Sequence, residues 1–131
     1  MKLEALLRWA LFPGVFAALM LHAYTCFFIP EGATDGFLAG LFALSVLPYL
    51  ACVAIGVRTT RGLLMAACAI APMLLFDFLA FHEAIIAPTS STSSLVLLVV
   101  PVLNLGVLLM GFLVGWIVFA LCRRSETKGT L

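Results

Sequence analysis

Residues 62–87 read GLLMAACAIAPMLLFDFLAFHEAIIA, a run with no base and only Asp77 and Glu83 as acids. An α-helix rises about 1.5 Å per residue, so a run of this length covers a hydrocarbon core roughly 30 Å thick. Three further runs, at about 9–29, 37–57 and 95–122, have the same character. The breaks between them are short and made of turn formers and polar residues: PEGATDG at 30–36, the basic RTTR at 58–61 and the hydroxyl-rich PTSSTSS at 88–94.

Backbone in lipid has no water to satisfy its N–H and C=O groups, so a spanning chain closes its hydrogen bonds within helices or a sealed barrel. Continuous apolar runs fit helices, and connections this short set neighbouring helices antiparallel. The expectation is an all-α integral membrane protein: one domain over 1–131, with four transmembrane helices in an up-down-up-down bundle. Composition agrees, since 65% of the 131 residues are hydrophobic and 10% charged, against about half and a quarter in soluble proteins. That balance excludes a disordered chain and a nucleic-acid binder with a basic face. The four runs also use nearly all the residues, which leaves no length for a soluble enzyme domain.

Lysine and arginine fix the expected orientation. Lys2 and Arg8 precede the first helix, Arg58 and Arg61 separate the second from the third, and Arg123, Arg124 and Lys128 follow the fourth. All lie on one side, which the positive-inside rule makes cytoplasmic, so both termini are expected inside a membrane of the bacterial inner-membrane type. The net charge of +1 thus conceals a polarised chain. Seven bases less Glu4 and Glu126 leave +5 inside; Glu31, Asp35 and Glu83 put −3 outside; Asp77 alone puts −1 within the bundle. A secretory signal is not expected at the N-terminus: the apolar run is longer than a signal core, and Glu4 sits among the bases. The tail after the fourth helix reads as a charged, frayed anchor.

Helices packed within lipid associate by close backbone approach and polar contact, so small residues mark inward faces. Such faces run through Gly14, Ala18, His22 and Thr25; through Gly36, Gly40, Ala43, Ala51 and Ala54; through Ala66, Ala69, Met73, Asp77, Ala80 and Ala84; and through Asn104, Gly111 and Gly115. Two contain Gly-x-x-x-Gly, Gly36 to Gly40 and Gly111 to Gly115, which makes these four glycines candidates for helix contact inside the bundle or between subunits. Pro13, Pro48, Pro72 and Pro101 place one proline in each helix, with kinks expected at Pro48 and Pro72.

An ionisable group deep in a membrane helix is costly unless paired, hydrated or neutralised, which singles out Asp77. Asp77 lies 16 residues past Arg61 and His22 lies 14 past Arg8, a difference of about 3 Å of helix rise. A His22–Asp77 contact is therefore expected, with Asn104 as a third member. The trio is either a buried polar pair that fixes register or a proton-, cation- or substrate-linked site. His82 and Glu83, about 100° apart on a helix, belong to the outer interface. Neither they nor His22 and Asp77 show a metal-ligand spacing, so no metal is expected. The two histidines, on helices one and three, raise haem as a minor option, without outer bases to meet its propionates. Cys26, Cys52, Cys68 and Cys122 are scattered singly, which argues against dithiol chemistry, although Cys52 and Cys68 lie at similar depth.

No nucleotide loop, hydrolase elbow or zincin helix is present. The leading expectation is a small non-catalytic inner-membrane protein that acts by helix contact, as an accessory or regulatory subunit of a larger membrane complex or by self-association. The alternative is a small oligomeric transporter or channel, proton- or cation-linked through Asp77 and His22. A haem or quinone redox subunit is third.

Overall fold

The structure, a computed structural model, describes residues 2–28, 34–88 and 95–128, with the side chains of 2, 3 and 125–128 not described. Four α-helices carry the chain: α1 Lys2–Phe27, α2 Asp35–Gly56, α3 Thr60–Phe81 and α4 Val96–Lys128, with a π-helical turn His82–Ile86 continuing α3. All four are long and apolar enough to cross a membrane. Their outer surfaces suit lipid: Trp9, Phe12, Phe16, Leu109 and Met110 are each more than half exposed, an apolar surface that water would not tolerate.

The helix limits follow local chemistry. Thr59 caps α3, its hydroxyl accepting from the Gly62 N–H at 2.9 Å, which satisfies one of the orphan donors at a helix start. The helix begins at Lys2 instead of near Trp9, because Leu, Glu, Ala and Arg between them are good helix formers outside lipid as well as in it. The expected fraying after the fourth helix is corrected: α4 stays helical to Lys128. At the far end of α3 the regular helix stops at Phe81, and Ala87 N–H reaches the His82 carbonyl at 2.9 Å, the i to i+5 bond of a π turn. Glu31, the hydroxyl-rich loop at 89–94 and the Glu126 and Lys128 side chains lie outside the described residues.

α3 is the hub and packs against all three other helices, most extensively α4. The α3–α4 seam depends on glycine. A Cβ on Gly111 would overlap the Ala69 backbone, and one on Gly115 would lie 2.6 Å from Met65 Cα. Along α2 and α3 the contacts run from Gly56–Ala66 to Tyr49–Asp77, so numbers fall on one helix as they rise on the other. Along α1 and α3 they rise together, from Gly14 with Ile70 to His22 with Asp77. Arg8, Arg58, Arg61, Arg123 and Arg124 are thereby gathered at one end of the helices, the basic end, while Asp35 and Glu83 belong to the other.

The inward faces expected on α1, α3 and α4 are buried or half-buried, but that of α2, apart from half-buried Ala51, is corrected. Gly36, Gly40, Ala43 and Ala54 look outward, and among the described residues no neighbour lies within 4 Å of where a Cβ would stand on either glycine. The buried face of α2 is Leu38, Ser45, Val46, Pro48, Tyr49, Cys52 and Gly56. The physical reason lies in the core: α2 has to turn its hydroxyl-bearing Tyr49 toward Asp77, and satisfying a buried carboxylate outweighs what a small-residue seam would gain. Cys52 goes to the core while Cys68 lines a groove beside α4, so the two cysteines face different surroundings.

Candidate functional site

Each helix sends one polar side chain to the same point. Asp77, on the hub helix, is 2% exposed. Its Oδ2 meets His22 Nε2 of α1 at 2.9 Å and accepts from the Tyr49 hydroxyl of α2. Its Oδ1 accepts from Asn104 Nδ2 of α4 at 2.6 Å. With His22 in the Nε2–H tautomer, three donors occupy three of the roughly four lone-pair sites of a carboxylate. The expected His22–Asp77–Asn104 grouping is thus assembled in space. Tyr49, its fourth member, is not foreseen by the sequence reading.

Packing holds the donors in place. The Tyr49 ring is fully buried, with its centroid 6.0 Å from that of His22. Beside it Ser45 spends its hydroxyl on the Leu41 carbonyl, 2.8 Å away, and Thr25 bonds the His22 carbonyl at 3.1 Å. Both are local helix bonds, which leave the Asp77 cluster to its own four members. One atom of the cluster is unmatched. Among the described residues, Asn104 Oδ1 is the buried side-chain oxygen or nitrogen with no hydrogen-bond partner. An amide in this position can respond to its neighbour: rotated by half a turn it offers Oδ1 where it now offers Nδ2.

A cavity of about 220 Å³ opens beside the cluster, toward the end away from the arginines. His22 and Asp77 are part of its wall, with Thr25 and Ser45; Leu38, Leu41, Phe37, Phe81, Leu97 and Pro101 make the remainder largely apolar. By comparison, an apolar cavity of about 150 Å³ holds benzene. Protons, water or a small ligand therefore have room to reach the His22–Asp77 pair.

The remaining candidates lie apart from this centre. His82 is exposed on the π turn and Glu83 is half-buried beside it. His22 is buried with its Nε2 on Asp77, whereas His82 is exposed. Among the described residues no three His, Cys, Asp or Glu side chains converge as a metal site would require. Gly111 and Gly115 serve the α3–α4 seam, whereas Gly36 and Gly40 face out.

No known protein family, curated protein or solved structure matches this chain.

Proposed function

We propose that the chain is a small proton- or cation-linked membrane transport protein, working as an oligomer, with Asp77 as the site that takes the proton or cation and His22 as its partner. One observation carries this reading: the only described carboxylate in the core lines a cavity and, at the same time, ties together side chains from the other three helices. A charge change there falls at the point where all four helices meet. A proton arriving from the cavity and bound at Asp77 Oδ1 removes the acceptor of Asn104 Nδ2. A half-turn of the Asn104 amide then lets its Oδ1 accept that proton's hydrogen bond. The Oδ2 contacts to His22 and Tyr49 persist, so the change is read out mainly between α3 and α4. In this reading the bundle runs up-down-up-down in a bacterial inner membrane, with the basic end and both termini in the cytoplasm, as the gathering of arginines at one end supports. Four helices enclose little room for a path, which is why an oligomer is proposed.

The test is flux in liposomes driven by a pH or cation gradient. Wild-type protein carries current or ions, and Asp77→Asn abolishes this while remaining folded. Flux at wild-type level in the variant, or none in the wild type, overturns the proposal.

A second reading, an accessory subunit acting by helix contact, is favoured by the outward face of α2, where Gly36, Gly40, Ala43 and Ala54 are exposed and no described residue packs on either glycine. Cysteine crosslinks from this face to another membrane protein support it. A protein that stays monomeric and captures no partner counts against it.

A further inference from the structure

The described polar groups around the cavity beside Asp77 are nearly all of one hydrogen-bonding kind. Ser45 and Thr25 have spent their hydroxyl protons on carbonyls of their own helices, those of Leu41 and His22, so toward a ligand each hydroxyl oxygen is left as an acceptor. His22, with its Nε2 proton on Asp77, keeps an acceptor at Nδ1, and an ionised carboxylate only accepts. Asp77 Oδ2 takes two bonds and Oδ1 one, which leaves a lone pair on Oδ1. Cys26 is the one other polar side chain of the described wall, and its thiol is a weak donor.

Charge points the same way. Asp77 is the single described carboxylate in the core, and Arg61 of the same helix stands 16 residues, roughly 24 Å of rise, away. A ligand that brings a positive charge to this wall offsets the cost of a buried anion, whereas an anion meets only lone pairs. The polarity is graded as well: Phe81 lies about one turn beyond Asp77 on α3 and Phe37 about two turns before Ser45 on α2, both toward the end away from the arginines. The largely apolar wall is too poor in oxygen to replace the shell of about six that a hard metal ion requires. At about 220 Å³ the space exceeds one that holds benzene, so a ring with a short arm fits. We propose that the cavity is the binding site for a small organic ammonium ion, its N–H groups on Asp77 Oδ1 and Ser45 Oγ and its apolar body toward Phe37 and Phe81. A site of this kind rests on the same reading of Asp77 as the group that takes the cation, and it names the cation's class.

Equilibrium binding to the full chain in detergent micelles tests the site without any need for transport. Radiolabelled benzylammonium is expected to bind saturably. Benzyl alcohol, of the same shape and uncharged, is expected to displace it only at roughly 10- to 100-fold higher concentration, and benzoate not at all. Asp77→Asn and the cavity-filling Ala80→Leu should each abolish saturable binding and Ser45→Ala should weaken it several-fold, whereas Leu109→Phe, on an exposed part of α4, leaves it. Binding that does not saturate, equal competition by benzyl alcohol or benzoate, or wild-type binding in Asp77→Asn or Ala80→Leu overturns the proposal. Displacement by millimolar sodium or potassium overturns it as well, because the occupant is then an inorganic cation. Saturable binding without flux in liposomes removes the transport reading and keeps the site; Asp77-dependent flux without benzylammonium binding does the reverse.

Discussion

Asp77→Asn and Asp77→Leu, substitutions of similar volume, should part company. Leucine offers no acceptor, so the Asn104 amide, the Tyr49 hydroxyl and the His22 ring N–H all lose the carboxylate they share. A stranded buried donor costs about 1–3 kcal/mol. Tyr49 and His22 converge on the same Asp77 oxygen, and a bond formed between them in the variant would recover part of this, which leaves a loss of roughly 3–6 kcal/mol. Asparagine keeps an oxygen for His22 and Tyr49 and turns an N–H toward Asn104. That N–H finds an acceptor if the Asn104 amide rotates and presents Oδ1, the atom now unmatched. The cost should then be only about 1–2 kcal/mol, that of exchanging charge-assisted bonds for neutral ones. Reversible unfolding in mixed detergent micelles measures both. A further check is Asn104→Leu, which leaves the buried Asp77 Oδ1 without its amide donor and should cost about 1.5–3 kcal/mol. An Asp77→Leu protein as stable as wild type, an Asp77→Asn protein that loses as much stability as Asp77→Leu, or an Asn104→Leu protein as stable as wild type would refute the reasoning.

Other substitutions test separate parts of the structure. Tyr49→Phe keeps the ring and removes one hydrogen bond, so it should cost about 1 kcal/mol, in line with bonds measured between membrane helices; unfolding in the same micelles reads it. Gly111→Ala drives a methyl into the Ala69 backbone and should destabilise by roughly 1–3 kcal/mol. Gly40→Ala meets open space and should be neutral, or stabilise by up to about 1 kcal/mol through helix propensity. A Gly40→Ala protein that folds normally but loses an oligomer on native gels would instead locate a subunit contact on α2. Thr59→Ala removes the α3 cap and should cost about 1 kcal/mol, read by the same unfolding assay.

The four helices were legible because apolar length is a one-dimensional property, and the short polar breaks mark where each span stops. The His22–Asp77 contact was legible for a related reason: counting residues from the arginines gives depth, and depth brings groups together. The same count hides Tyr49. It lies nine residues before Arg58, roughly 13 Å of rise from the basic end, against roughly 24 Å for Asp77. The phenol closes that gap because side chains lean toward the N-terminus of their own helix. As α2 and α3 run in opposite senses, Tyr49 and Asp77 lean toward each other. Small residues proved ambiguous in another way. They allow close approach without saying to what, so the pattern that places Gly111 in a seam places Gly40 outside one. The cavity beside Asp77 has no signature in the chain at all, since it is the space left where side chains from all four helices fail to meet.

The central claim, that Asp77 exchanges a proton and Asn104 answers it, is tested most directly by infrared difference spectroscopy of the reconstituted protein across a pH step, with isotope-labelled aspartate. The account predicts a carboxylic acid carbonyl band that appears on acidification, vanishes in Asp77→Asn, and is accompanied by an amide shift that disappears in Asn104→Leu. A labelled Asp77 whose spectrum stays unchanged over the whole pH range in which the protein remains folded would contradict it, and would leave the cluster as a fixed polar tie between helices.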